Sequence, residues 1–292
     1  MIDESRLRAC LASDWALPDA GVEVNDGGMG SATWLVSQAG RHWVAKAVTP
    51  ALRAPFAGGL SVATLLDEAG IPAGAPVPTL DGRSLVDLDT ASLALLTWVE
   101  GEPLTGSGAD EQQVIGDTLA LTHQALQDAS VPGAQRFHWV RPDADHLALR
   151  PWIRPAVTDA VAALDRLNPA SLTWGLLHSD PAPEHFRLDP SSGRCGVIDW
   201  SIALQGPLLY DLASAVMYVG GQDHAGPLIE AYLRHRVVPS AEADRALPAL
   251  LRFRWAVQAD YFARRIANHD LTGITGPADN EKGLEDARRR LG

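Results

Sequence analysis

The chain has 292 residues, of which 46% are hydrophobic and 21% charged, the composition of a folded, soluble protein. Its formal net charge of −12 argues against nucleic acid or an anionic membrane as the main partner, because both require a basic surface. No apolar run reaches the roughly 18 residues of a membrane span, and the acidic first residues contain no export signal. With only two cysteines, we expect a cytoplasmic protein without a disulfide framework.

The first third of the chain is predicted to be rich in β-strands. Strands over 22–25 and 32–37 flank the glycine-rich turn Asp26-Gly-Gly-Met-Gly-Ser31, and a third strand follows over 42–48. The apolar spacing over 58–69 predicts a helix that ends at Gly70. Two further strands are predicted near 83–86 and 92–99, before 100–103 interrupts the pattern.

The remainder is predicted to be mainly helical, with helices over 111–129, 152–167, 208–218, 226–236 and 241–266. Only the segment 174–202 departs from this pattern, with short strands around 187–188 and 195–198. We therefore predict an α+β fold with two lobes. A small β-rich N-terminal lobe spans 1–97, a hinge spans 98–103, and a larger helical C-terminal lobe spans 104–292.

The segment 174–202 contains the residues with the most informative chemistry. Asp180 and Asp199 each stand at the end of an apolar run, and His178 and His185 lie close to Asp180. A carboxylate at one position can orient a substrate hydroxyl, and a carboxylate at the other can bind a hard metal ion. Taken alone, either aspartate is also compatible with an ordinary turn residue.

Several motifs occur in an informative order: the glycine-rich turn, a lysine on the next strand (Lys46), the hinge, His178-Ser-Asp180, Ile198-Asp-Trp200 and Tyr210-Asp-Leu-Ala213. This order resembles the aminoglycoside phosphotransferase and choline kinase family, a branch of the protein-kinase-like fold, over nearly the whole chain. The resemblance implies ATP and Mg²⁺ as cofactors. It also implies transfer of the γ-phosphoryl group to a hydroxyl of a small-molecule acceptor, such as an antibiotic or a hydroxylated metabolite, by a monomer or homodimer.

The same resemblance assigns roles to individual residues. Asp180 would orient the acceptor hydroxyl, braced by His178, while Asp199 would bind the metal ion and Asp211 would support the catalytic loop. Three parts of the chain would contact the nucleotide. These are the glycine-rich turn with Gly27, Gly28, Gly30 and Ser31, the strand lysine Lys46, and the hinge with Trp98 and Val99. On a C-terminal helix, Trp255, Asp260 and Tyr261 would line the acceptor pocket, although core packing is the competing interpretation for these side chains.

The sequence departs from the family pattern at three places. His185 stands where the family has an asparagine that holds a second metal ion, and imidazole prefers softer metals than magnesium. The glutamate that would pair with Lys46 is not evident, and Asp67 and Glu68 are the available substitutes. Two prolines in 181–184 stiffen the loop after Asp180.

Two other functions stay open at the level of the sequence. The departures are compatible with a degenerate kinase fold that binds nucleotide or ligand with little or no transfer. A metal-dependent hydrolase is the third hypothesis, in which His178, Asp180, His185 and Asp199 converge on a transition metal.

Overall fold

The computed structural model describes residues 2–25, 31–137, 140–201 and 204–292. The chain divides into two compact units. The first unit comprises 1–103, 130–135 and 185–203, and the second comprises 104–129, 136–184 and 204–292. Each unit therefore combines segments that are distant in the sequence.

The first unit is built on a five-stranded antiparallel sheet of order β1-β2-β3-β5-β4. Its elements are α1 (Glu4–Trp15), β1 (Gly21–Val24), β2 (Ala32–Gln38), β3 (Arg41–Val48), α2 (Arg53–Glu68), β4 (Val86–Leu88) and β5 (Ala91–Thr97). The β2–β3 hairpin turns through Ala39 and Gly40, both at positive φ, as a two-residue hairpin of this twist requires. The strands predicted from the alternating sequence pattern are thus present within a few residues.

The two faces of this sheet are covered by different helices. Leu7 and Leu11 of α1 pack with Ala45 and other residues of one face. Phe56 of α2 packs with Val48 in a second cluster. Because side chains alternate along a strand, Lys46 lies on the same face as Val48, which is the face covered by α2.

A second, three-stranded sheet of order β10-β9-β6 completes the first unit. Its strands are β6 (Glu102–Pro103), β9 (Phe186–Leu188) and β10 (Cys195–Val197). Helix α2 approaches the chain just after β10 so closely that a Cβ added to Gly59 would lie 1.7 Å from the carbonyl oxygen of Trp200. Only glycine allows this approach of two backbones.

The second unit is mainly helical. It contains α3 (Ala109–Ala125), α4 (Ile153–Arg166), α5 (Leu209–Tyr218), α6 (Gly226–Arg234), α7 (Ser240–Ala267) and α8 (Pro277–Leu291). Strands β8 (Trp174–Leu177) and β11 (Leu204–Pro207) pair antiparallel, and the short β7 (Gln135–Arg136) falls at a boundary between units along the chain. In the core of this unit, the ring centre of Phe137 lies 5.0 Å from that of Tyr210 and 5.4 Å from that of Phe253.

The helices predicted from apolar periodicity are all present, with ends shifted by a few residues. Helices α1 and α8 were not predicted, because their short buried stripes are interrupted by charged side chains. Within the described ranges, no helix is both long enough and apolar enough to cross a bilayer.

Candidate active site

In the first unit, Lys46 and Asp199 form an ion pair. The Lys46 Nζ lies 2.5 Å from Asp199 Oδ1, and the lysine is only 7% exposed. The hydroxyl of Ser201 donates to the same carboxylate oxygen. Asp67, which the sequence offered as a partner for the lysine, instead accepts a hydrogen bond from the backbone N–H of Ala73. The partner of Lys46 is therefore the predicted metal ligand itself.

The surroundings of Asp199 keep it ionised. Burial would raise the pKa of its carboxyl, but the charges of Lys46 and His185 and the hydrogen bonds from Lys46 and Ser201 outweigh burial and hold the pKa well below its usual value. Asp199 also adopts a φ of +72°, in the left-handed region that is unfavourable for residues other than glycine. The carboxylate is consequently an anion at neutral pH, held on a strained turn.

His185 lies beside this carboxylate. Its Nε2 is 3.8 Å from Asp199 Oδ2, and its backbone carbonyl accepts the N–H of Ile198 at 2.9 Å. Asp199, with a side chain 38% exposed, offers the type of oxygen that Mg²⁺ takes from one or two carboxylates when phosphates complete its shell. Asp199 therefore fits a divalent ion, with His185 as a softer neighbour.

In the second unit, Asp180 lies in the loop after β8. Its Oδ1 accepts hydrogen bonds from the hydroxyl of Tyr218 and from the Arg254 Nη2, the latter at 3.0 Å. The same arginine nitrogen donates to the Tyr218 oxygen at 3.1 Å. The Asp180 side chain remains 52% exposed, so the three side chains present a fixed carboxylate at the surface of the second unit.

The loop that carries Asp180 is fixed by the buried carboxylate of Asp211. This carboxylate accepts the backbone N–H groups of His178 at 2.7 Å and Ser179 at 2.8 Å. Ser179 has a φ of +75°, and the Nδ1 of His178 accepts the N–H of Asp180 at 3.3 Å. Two backbone donors are satisfied by one buried acceptor, which fixes the direction of the loop.

A second buried histidine, His123, lies behind Asp211. Its Nε2 is 3.1 Å from Asp211 Oδ2, and its Nδ1 is 2.8 Å from the hydroxyl of Tyr232. Burial raises the pKa of the Tyr232 phenol well above its usual value, so this hydroxyl stays protonated and donates to Nδ1. The Nε2–H then donates to Asp211. His123 escaped the sequence analysis because 88 residues separate it from Asp211.

The predicted nucleotide contacts are only partly described. Gly27, Gly28 and Gly30 lie outside the described residues. The Ser31 hydroxyl lies 3.5 Å from that of Thr33 on β2. Trp98 and Val99 directly follow β5, with the Trp98 ring 5.9 Å from that of His42.

The three residues predicted to line the acceptor pocket lie on α7, where they have other neighbours. Asp260 is buried and lies 2.7 Å from the Nε2 of His146. Arg290 lies over the Trp255 ring at 5.9 Å, and the Tyr261 ring packs 5.2 Å from that of Phe262. On the same helix it is Arg254, which the sequence did not single out, that contacts Asp180.

The third hypothesis required four side chains around one transition metal. Among the described residues, no group of three or more histidine, cysteine, aspartate or glutamate side chains could hold a metal ion. His178 is buried, and its Nδ1 accepts a backbone hydrogen bond. The donor set around Asp199 suits an ion bound largely by phosphates instead.

Comparisons with known proteins show the family and the fold of the chain. Residues 21–250 match the profile of the phosphotransferase enzyme family, APH. A homoserine kinase of Rhodopseudomonas palustris strain TIE-1 is 30% identical over 210 residues, which cover 66% of this chain and 63% of the relative. A homoserine kinase of Hyphomonas neptunium is 30% identical over 212 residues, 63% of each chain. The matched stretch thus spans less than two thirds of these relatives.

Solved structures show the same fold. A microcompartment-associated aminopropanol kinase superposes with a TM-score of 0.77 at 18% identity, covering 99% of this chain and 95% of that one. An amicoumacin kinase in complex with AMP-PNP and Ca²⁺ gives a TM-score of 0.76 at 16% identity, with 99% and 93% covered. The α+β, protein-kinase-like fold predicted from the sequence is confirmed, and the chain belongs to the phosphotransferase enzyme family.

Proposed function

We propose that this protein is an ATP-dependent phosphotransferase that moves the γ-phosphoryl group to a hydroxyl of a small molecule. The observation that carries the proposal is the pairing of a buried lysine with an ionised aspartate, Lys46 with Asp199. A phosphate-binding cation beside a metal-binding carboxylate is the equipment that phosphoryl transfer requires. Asp180, in the matched family segment, supplies the carboxylate for the acceptor.

Each of these side chains then has a chemical task. Lys46 offers a compact positive charge to the α- and β-phosphates. Asp199 would hold Mg²⁺, with His185 beside it, and the bound ion would offset the negative charge of the phosphates. Asp180 accepts the hydrogen bond of the acceptor hydroxyl and orients its oxygen toward the γ-phosphorus. As the new P–O bond forms, the bond from the γ-phosphorus to the bridging oxygen breaks, ADP leaves with that oxygen, and Asp180 takes up the hydroxyl proton.

We further propose that the acceptor is an amino alcohol. The relatives that match in sequence are named homoserine kinases, and a similar structure is an aminopropanol kinase. Both named substrates combine a hydroxyl with an amino group. The net charge of −12 suits an acceptor that carries a positive charge. Antibiotics with amino groups form the next class to test, because the amicoumacin kinase shares the fold.

Phosphoryl transfer can be measured on a panel of acceptors: homoserine, aminopropanol, ethanolamine, choline and an aminoglycoside. We expect a phosphorylated product by mass spectrometry for at least one amino alcohol. Asp180→Asn should lower kcat by at least about 100-fold, whereas Asp189→Asn, in an exposed hairpin of the first unit, should retain activity. A wild-type protein that binds Mg-ATP but phosphorylates no acceptor and hydrolyses no ATP would contradict the proposal.

The alternative is a kinase fold that binds nucleotide without transfer. One observation favours it: the side chain 3.8 Å from Asp199 is the imidazole of His185, where the family resemblance implies an asparagine that holds a second metal ion. Under this alternative, calorimetry detects nucleotide binding that Lys46→Met weakens, while no acceptor in the panel is phosphorylated.

A further inference from the structure

Asp180 is held from two sides by residues far from it in sequence. Tyr218, the last residue of α5, and Arg254, in the middle of α7, both donate to its Oδ1. The two donors also contact each other, since Arg254 Nη2 donates to the Tyr218 oxygen and the guanidinium lies 5.6 Å from the Tyr218 ring centre. With two donors on one oxygen, the carboxylate has little freedom to rotate about its Cβ–Cγ bond.

The burial of Arg254 is not explained by stability. The arginine is only 7% exposed, while the carboxylate that it contacts is half exposed. Burying a guanidinium costs desolvation free energy, and an ion pair with a carboxylate that is exposed to water offsets only a small part of that cost. Its Nε is buried and has no hydrogen-bond partner within the described ranges.

Tyr218 is suited to act as a permanent donor. The residue is 37% exposed, but loss of hydration at its phenol raises the pKa. The Arg254 charge opposes that rise and the Asp180 carboxylate adds to it, so that the pKa lies above its usual value. The hydroxyl is therefore protonated over the whole range in which enzymes of this type work. Its single proton points to the Asp180 oxygen.

From this geometry we infer that Arg254 and Tyr218 are positioning residues for Asp180. They fix the carboxylate, before the acceptor binds, in the orientation that receives the acceptor hydroxyl. The inference rests on the proposed function, because it assigns Asp180 to the acceptor. Neither residue is a catalytic residue in its own right, since each acts through the carboxylate.

The test compares Arg254→Met with Arg265→Met. Both arginines are buried on α7, and each lies 5.6 Å from a tyrosine ring centre, but Arg265 bonds to Asn280 and Thr272 instead of Asp180. We expect Arg254→Met to lower kcat about 100-fold with an unchanged KM for Mg-ATP and a melting temperature equal to or above that of the wild type. Arg265→Met should lower the melting temperature and leave the kcat of the folded protein unchanged.

Two further variants separate positioning from packing. Tyr218→Phe keeps the ring and removes the donor, and should lower kcat about tenfold, as expected for a hydrogen bond to a charged group. For Arg254→Ala, added guanidinium should restore part of kcat, because it can replace both the charge and the donors. Guanidinium should have no such effect on Asp180→Asn.

The inference is overturned if the wild type is active and Arg254→Met keeps kcat within twofold of Arg265→Met. It is also overturned if kcat falls only in proportion to the unfolded fraction. A wild type inactive on every acceptor overturns the proposed function instead. In that case a crystal structure of Arg254→Met decides on positioning: an unchanged Asp180 rotamer rejects it, and a rotated or disordered one supports it.

Discussion

The ammonium group of Lys46 lies 2.5 Å from the carboxylate of Asp199, although 153 residues separate them. The lysine comes from the central part of a five-stranded sheet, and the aspartate follows the last strand of a three-stranded one. In the family that the sequence resembles, a glutamate is expected to be the lysine partner. Here the carboxylate of Asp199 takes that position, so the partner of Lys46 is also the proposed metal ligand.

The first prediction concerns stability and pH. Asp199→Asn leaves the ammonium of Lys46 without an anionic partner, and should lower the free energy of unfolding by about 1 kcal/mol at pH 7, allowing for the partly exposed carboxylate. Because the folded-state pKa of Asp199 is lowered, its contribution is complete above the unfolded value of about 4 and is lost as the pH falls below it. Urea unfolding at pH 7, 5 and 3.5 tests this.

We expect the free energy of unfolding of Asp199→Asn to lie below that of the wild type by the same amount at pH 7 and pH 5, and by a smaller amount at pH 3.5. Asp89→Asn, in the exposed turn between β4 and β5, is the control and should show little difference at any pH. If the difference in free energy of unfolding between the wild type and Asp199→Asn is already smaller at pH 5 than at pH 7, the titration of a group other than Asp199 determines the stability of the ion pair.

The second prediction concerns the metal ion. His185→Asn introduces the residue that the family uses at this position and replaces a soft ligand by a hard oxygen next to Asp199. We expect the Mg²⁺ concentration for half-maximal activity to fall by about tenfold. Steady-state rates over a magnesium titration measure it, with His269→Asn, at an exposed position just after α7, as the control. An unchanged or higher magnesium requirement would exclude His185 from the metal site.

The third prediction concerns the strained turn at Ser179. Its φ of +75° costs a serine about 1–2 kcal/mol, whereas glycine adopts it freely but loses more entropy on folding. Ser179→Gly should therefore raise the free energy of unfolding by about 0.5 kcal/mol and leave kcat unchanged. Thermal unfolding measures it, and Ser84→Gly, at an exposed position without positive φ, should not be stabilising. A loss of stability in Ser179→Gly would mean that the serine side chain supports the loop.

The fourth prediction concerns the close approach of α2 to Trp200. A Cβ on Gly59 would lie 1.7 Å from the Trp200 carbonyl oxygen, and neither backbone can yield easily. Gly59→Ala should lower the free energy of unfolding by at least about 2 kcal/mol and reduce activity, because Trp200 follows Asp199. Gly226→Ala, at the start of α6 with no atom within 4 Å of the added Cβ, should change stability by less than about 0.5 kcal/mol. Equal effects of the two substitutions would contradict this account.

Local patterns in the sequence predicted much of this fold. Helix α5 was predicted over 208–218 and lies at Leu209–Tyr218, because its apolar residues recur with the helical period. The hairpin of β2 and β3 was predicted from alternating residues around a short turn. Helix α8 was missed because it ends in three consecutive arginines and has few buried apolar residues.

The site was predictable where its chemistry is local, and not where it depends on packing. Asp180 and Asp199 were identified from short motifs, since each stands directly after an apolar run. The contact between Arg254 and Asp180 joins residues 74 positions apart in the sequence. It depends on which face of α7 packs toward the loop, and the apolar periodicity of the helix does not specify that face. The pairing of Lys46 was missed for the same reason: it depends on two strands of different sheets.

One boundary between the two compact units falls between Glu184 and His185. The chain passes from one unit to the other five times, at residues 103, 129, 135, 184 and 203. Asp180 and Asp199 are therefore close in sequence but belong to different units. Neither unit is encoded by one continuous stretch, so recombination with a relative at a single crossover near residue 103 would separate β6 from its partner β9. Swapping of whole halves between relatives should therefore fail to give a folded protein.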